Sequence, residues 1–479
     1  MPQACRRRHL SLSLFLVLAT APHPALAAGW LDTGDLRARH ALQKAADRGE
    51  RNWPVTTWPA PRPADDSAID AASLTVGQHA ARSAPLFQGF GPRQREAISS
   101  HAALSLESPH VLLRASLEQA HTQDWDNETT RWDESYIALR GANLIAGAGA
   151  VSRWWGPGWQ NSLILSNNAR PIPAAWLTRD QPHAPEHRWL RWTGPWQFVL
   201  LAGQLEHRRV VPETKFLGAR LSLRPHPALE LGLSRTAQWG GEGRPQTFDS
   251  LVDLMLGRDN VGSSGITDDN EPGNQLAGID WRLGWQAGEE TLAFYGQAIG
   301  EDEAGGMPSR WLMLFGMEGT ASAFSGEQRW FVEMADTTLN GLFGDEHLNS
   351  AYGHGTYQTG YRYRGPVIGA AIGGDSRQLT VGLMHFADNG QQLTFDTSRI
   401  DQNRDGNRPP LQRGQLEMLD APAGRRLFSY TRLGWSMPFA ERARLGVDAW
   451  YSTVPLPSSA DPGDEFHDSG ALLYWQLSL

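Results

Sequence analysis

The chain has 479 residues, with 43 basic against 52 acidic side chains, a formal charge of −9, 50 glycines, 20 tryptophans and one cysteine. The acidic balance argues against nucleic acid as a partner, and a single cysteine excludes a disulfide framework or a thiolate metal centre. Beyond residue 27 no apolar run approaches the roughly 20 residues of a spanning helix, which excludes a helical membrane protein.

At the start, Arg6, Arg7 and Arg8 precede an apolar run from Leu10 to Ala19, and Ala25 and Ala27 place small residues where a signal peptidase reads. Residues 1–27 are therefore expected to be a signal peptide. Its removal takes Cys5 and the three arginines with it, moving the formal charge from −9 to −12. Residues 28–95 are expected to form a periplasmic helical domain or plug. Asp32, Thr33 and Asp35 supply caps, Ala38, Ala41, Leu42 and Ala45 recur at helical spacing, and Gly49 ends the run. Pro54, Pro59, Pro61 and Pro63 then read as an extended connector. A second, weaker helix is expected over 65–85, around Ile69, Leu74 and His79.

From His101 onward the period is two. Leu229, Leu231 and Leu233 alternate with Glu230, Gly232 and Ser234; Ile279, Trp281, Leu283 and Trp285 alternate with Asp280, Arg282, Gly284 and Gln286. Periodicity alone fits either a soluble sandwich or a membrane barrel. Tryptophans near strand ends (Trp281, Trp285, Trp311, Trp330, Trp435, Trp450 and Trp475) and an alternating, apolar C-terminus ending in Leu479 favour a barrel with aromatic girdles. The fold class read from this is mainly β: a transmembrane antiparallel β-barrel over residues 96–479, with about 18 strands and a small N-terminal α-helical domain. Polar stretches at 240–277, 300–309, 319–328, 346–355, 401–425 and 454–469 become its loops, several long enough to fold back into the pore.

Two motifs stand out. Residues 153–159 read RWWGPGW, and residues 161–173 continue as NSLILSNNARPIP. Arg153, Trp154, Trp155, Asn167, Asn168 and Arg170 can form a packed internal corner, or a platform whose indoles stack on sugar rings while amides and guanidinium bind hydroxyls. In the stretch 360–376, Tyr361 and Tyr363 alternate with Arg362 and Arg364. That pattern reads as a barrel strand with the arginines inside and the tyrosines in the girdle; with Asp375 the arginines are also candidates for contact with an anionic glycan. Asp401, Asn403 and Asp405 have calcium-loop spacing with Gly406 at the sixth position, but Gln412 stands where an acid belongs. A solvated turn is the alternative. No nucleophile elbow, HExxH pair, phosphate loop or dinucleotide fingerprint occurs, so no cofactor or catalytic residue is assigned. His354, between two glycines, reads as a loop residue.

The RWWGPGW and SLILSNNARPIP stretches, with WLDTGDLRARHALQKAADRGERNWPVTTWPAP at 30–61, FGPRQRE at 90–96, DESYIALRGAN at 133–143 and GYRYRGPVIGAAIGGDS at 360–376, resemble the Wzi capsule-assembly family of Gram-negative outer-membrane proteins. The resemblance implies an 18-stranded outer-membrane barrel with a helical bundle at its periplasmic end. It also implies a lectin-like role in which capsular polysaccharide is held at the cell surface, with outer-membrane lipid and a separate export machinery as further partners. The competing readings from the residues are a porin or sugar-selective channel and, on thin support, an outer-membrane enzyme.

Overall fold

A side-chain period of two sends alternate residues to opposite faces of a strand, so burial decides which medium each face meets. In the computed structural model, residues 30–62, 71–120, 128–257, 266–267, 270–301, 303–304, 307–308, 310–340, 346–407, 424–457 and 466–479 are described. The proposed signal peptide lies outside them. Eighteen long antiparallel strands form a closed barrel, sealed where Phe466–Ser478 pairs with Ala71–Ala81 in the register Leu472↔Ala81 to Ser478↔Thr75. Closure removes free sheet edges and satisfies the backbone without water, as a membrane requires.

The two faces are inverted relative to a soluble sandwich. Leu233 and Ile279 are 49% and 52% exposed, while their neighbours Asp280 and Arg282 are each 2% exposed. Apolar groups point outward to lipid and charged groups point into the lumen. Among the described residues no helix is long and apolar enough to cross a membrane; the strands do the crossing. Trp450 departs from the expected girdle. It is buried in the lumen, where its indole stacks on Tyr430 and donates to the Ser83 carbonyl at 3.0 Å.

One end of the barrel has tight turns, as between Ala287 and Glu290 or Ala440 and Ala443, and the other has connections of twenty residues or more at 151–172, 240–272 and 341–376. Short turns mark the periplasmic end and long loops the extracellular one. The stretch 319–328, expected as a loop, is one of the tight hairpins, turning between Ser322 and Gly326.

Helix α1 (Leu36–Asp47) sits at the short-turn end. Its Asp35 cap accepts from the Ala38 amide at 2.9 Å. Arg37 and Arg48 donate to the turn carbonyls of Gln391 and Glu289 at 3.0 and 2.6 Å. The helix matches the expected position but not the expected face. Ala41 is exposed, and Arg39, His40, Gln43, Lys44 and Asp47 are buried, because the cavity it enters is lined with charge.

Of the second helix expected over 65–85, residues 65–70 lie outside the described residues, and no helix occurs from 71 to 85. Ala71–Ala81 is instead the first barrel strand, so the barrel takes in residues from 71 onward, and among the described residues before it α1 is the one helix. Residues 360–376 are not a barrel strand either. They form part of an irregular segment folded into the lumen, in which Tyr361 and Tyr363 are buried rather than placed in a girdle.

Candidate functional site

The lumen is filled by three layers of the chain. α1 forms the periplasmic layer, and its charged face meets charged wall residues. Asp47 accepts from both terminal nitrogens of Arg282 at 2.5 and 2.7 Å; Arg282 and Arg329 converge on Glu318, at 2.6 and 2.7 Å. These four groups are almost fully buried, and each charge has an opposite partner. A buried charge is tolerated only in that condition.

The middle layer is the RWWGPGW segment. Trp154 and Trp155 pair as a short antiparallel ladder with Trp58 and Thr57 of the N-terminal connector. The Gly156–Gly158 turn then runs across the barrel. Gly156 has φ +138, a conformation that strains any residue bearing a side chain, and a Cβ there would lie 2.5 Å from the Gln297 side-chain amide. Glu333 on the wall accepts from three successive amides, Trp159 at 2.6 Å, Gln160 at 3.2 Å and Asn161 at 2.8 Å. From α1, Arg39 donates to the carbonyls of Pro157 and Gly158 at 2.6 and 2.9 Å and lies 4.0 Å over the Trp159 ring. The Trp159 indole N–H donates to Glu318, which ties the loop to the same carboxylate that joins Arg282 and Arg329.

The upper layer is the segment 346–376. Tyr352 and Tyr361 donate to the carbonyls of Leu163 and Ile164 at 2.7 and 2.8 Å, and the Ser166 hydroxyl donates to Gly369 at 2.6 Å. These contacts press the upper layer onto the middle one.

The residues singled out by sequence fall as follows. Trp154 and Trp155 are at most 1% exposed, with no ring face open to a sugar. Arg153 is buried, donating to Val151 at 2.8 Å with its guanidinium 5.3 Å from the Trp176 ring. Asn167 donates to Gly91 at 2.6 Å, and Asn168 donates to Val367 at 2.8 Å and accepts from Arg95. Arg170 makes a two-pronged pair with Asp133, 2.8 Å on each arm, and reaches Glu128 at 2.5 Å. Arg362 is buried and donates to Gly365 at 3.1 Å, whereas Arg364 stays a quarter exposed and pairs with Glu128 at 2.7 Å. Asp375 accepts from the Asn349 amide at 2.9 Å, and burial pushes its pKa up to about 6.

Asp401, Asn403 and Asp405, the residues with calcium-loop spacing, lie in and just after the strand Gln392–Gln402. Asp401 is occupied by Arg425, at 2.8 and 2.9 Å, and Asp405 by the side-chain amides of Asn349 and Asn407 at 2.6 and 2.9 Å, so the carboxylates face separate partners. His354 accepts from the amides of Thr356 and Tyr357 at 3.1 Å each. It closes a turn, and burial lowers its pKa to about 4.

Sequence reasoning missed the groups that hold the layers together: Arg39, Asp47, Glu318, Arg329 and Glu333. Their signal was the charge at inward positions of the alternating strands, but nothing local says which charges meet.

Taken together, an inverted wall, tight turns at one end and a lumen packed with the chain's own segments define an outer-membrane β-barrel closed by an internal plug. Residues 70–461 match the family model described as capsule assembly protein Wzi, and the chain belongs to that family. A solved structure titled as Wzi, an outer-membrane protein involved in group 1 capsule assembly in Escherichia coli and a carbohydrate-binding β-barrel, is similar with a TM-score of 0.75 and 26% identity, covering 94% of this chain and 99% of that one. A 55.8 kDa protein from the cps region of Klebsiella pneumoniae is 36% identical over 335 residues, covering 69% of this chain and 62% of that protein. The chain thus aligns with less than two thirds of the Klebsiella relative's length.

Proposed function

We propose that this protein binds capsular or extracellular polysaccharide at its extracellular face and anchors it at the cell surface, without catalysis and beside a separate export machinery. The observation that carries the reading is the filled lumen. Three layers, held to one another by buried hydrogen bonds and with α1 held to the wall by buried ion pairs, leave the outer loops as the surface a polymer can reach, and family membership supplies the kind of polymer.

Within the RWWGPGW and NNARP motifs the side chains are committed to one another and to the wall, so their role is assigned to architecture. Glycan contact is assigned to the outer loops, where Arg364 keeps part of its guanidinium open and Trp132 is 61% exposed. Indole faces and guanidinium groups are the side chains that stack on sugar rings and pair with their carboxylates.

The test is a deletion strain and a pull-down. Loss of the gene releases polymer into the medium while synthesis continues, and purified barrel retains the strain's own polysaccharide. A deletion strain that keeps all its polymer attached overturns the proposal.

A further inference from the structure

Helix α2 (Phe248–Met255) belongs to the extracellular connection 240–272, yet it does not join the lumen plug. On the strand Leu229–Trp239, Glu230 and Ser234 face the lumen and Leu231 and Leu233 face lipid. The same period turns Arg235 and Trp239 outward, and these two hold α2. Arg235 donates to the terminal carbonyls of Leu254 and Met255 at 2.7 and 2.8 Å, and the Trp239 indole donates to the Ser250 hydroxyl at 3.2 Å. Gln275, outward on the next strand, accepts from Arg235 at 2.9 Å. α2 is therefore seated on the outside of the barrel wall. Leu254, fully buried, packs over Gly273, where a Cβ would come within 2.4 Å of it.

At 100° per residue the helix presents three faces. Ser250 and Leu254 meet the wall. Asp249 and Asp253 occupy a second side. Phe248, Val252 and Met255 form a third, 77%, 36% and 54% exposed, and Leu256 follows at 55%. Nothing among the described residues covers this apolar face. Arg235, which caps the helix, stands two residues along the strand from lipid-facing Leu233, about 7 Å away. An outward arginine is tolerated on a barrel wall only near the water interface, so it marks the level at which the apolar belt ends.

We infer that α2 is an interfacial helix whose Phe248, Val252 and Met255 face lies at the headgroup–acyl boundary of the outer leaflet. The occupant follows from continuity: the apolar face extends the lipid-facing belt of Leu231, Leu233 and Ile279, on the same outer surface, while the aspartates point elsewhere. Such a helix binds through buried apolar area. It pins residues 240–257 of this connection to the rim beside the mouth, and it does so whether or not the glycan reading holds.

The experiment places one cysteine at a time in a Cys5→Ser background, labels it with bimane, and reconstitutes the barrel in phosphatidylcholine vesicles with or without bromine-bearing acyl chains. Phe248→Cys and Met255→Cys report the helix, Leu233→Cys the belt and Glu242→Cys the solvated loop; heat-modifiable gel mobility selects folded protein. Quenching at 248 and 255 within a factor of about two of that at 233 is the expected result. Labels at 248 and 255 that behave like 242, quenched by aqueous iodide and not by bromine, overturn it, and either helix position is sufficient if the other variant fails to fold.

Discussion

Replacing Glu333 by alanine tests whether the middle layer is held by the wall. In the native barrel this carboxylate accepts from three consecutive amides of the Trp159–Asn161 turn and from the Tyr295 hydroxyl at 3.1 Å. Hydrogen bonds to a charged acceptor contribute about 1.5–3 kcal/mol each, and a buried donor left unsatisfied costs a similar amount. Entry of water and a shift of the turn recover part of this, which places the loss on the order of 5 kcal/mol. The turn remains tethered through Arg39, Tyr352 and Tyr361, so the wall still closes. Urea unfolding followed by heat-modifiable mobility should show a lower midpoint for Glu333→Ala, with Glu333→Gln between it and the native protein because one acceptor oxygen survives. In a planar bilayer the native barrel should be nearly silent and Glu333→Ala should flicker as the turn leaves the lumen. A native midpoint and a silent trace for Glu333→Ala would refute the argument, and so would a steady porin-like current from the native protein.

Two further outcomes follow from the same contacts. His40 accepts from the Arg329 Nε–H at 3.1 Å through Nδ1 and donates through Nε2 to Glu327 at 2.6 Å, which defines a neutral ring; burial, then Arg329, lowers its pKa from 6.5 to about 4. The unfolded chain binds the extra proton between those values, so the stability is complete above pH 6.5 and declines towards pH 4, by up to about 3 kcal/mol. Urea midpoints at pH 7.5 and 4.5 should differ more for the native protein than for His40→Gln; equal differences would remove His40 from the account. Arg170→Ala takes the paired guanidinium from Asp133 while Glu128 keeps Arg364, at a cost of about 2 kcal/mol because both carboxylates keep some water. It should lower the yield of heat-modifiable barrel while glycan retention per folded molecule stays unchanged; normal yield with lost retention would move Arg170 from architecture to recognition.

How much of this was legible in the sequence depends on whether the deciding partner is local. The cap at Asp35 and the stop at Gly49 fix α1 within its own turn, and both are readable. Which face it buries is not, because the rule that apolar faces turn inward presumes an apolar interior, and here Arg282, Arg329 and Glu318 line the space. Ala71–Ala81 is rich in alanine and only weakly alternating, so its composition suits a helix as well as a strand; its pairing with Phe466–Ser478, nearly 400 residues away, decides for the strand. The alternation of Tyr361 to Arg364 imitates a strand, but Gly360 and Gly365 adopt positive φ and Pro366 interrupts any ladder. Asp401 to Asp405 have the spacing of a cation loop, and an arginine 24 residues on takes the first carboxylate. In each case the sequence carries the chemistry of the side chain, while the counter-charge or the paired strand comes from far along the chain. The RWWGPGW motif shows the same division: its glycines and proline announce a rigid turn, but Glu333 and Glu318 from the wall, with Arg39 from α1, hold that turn across the lumen.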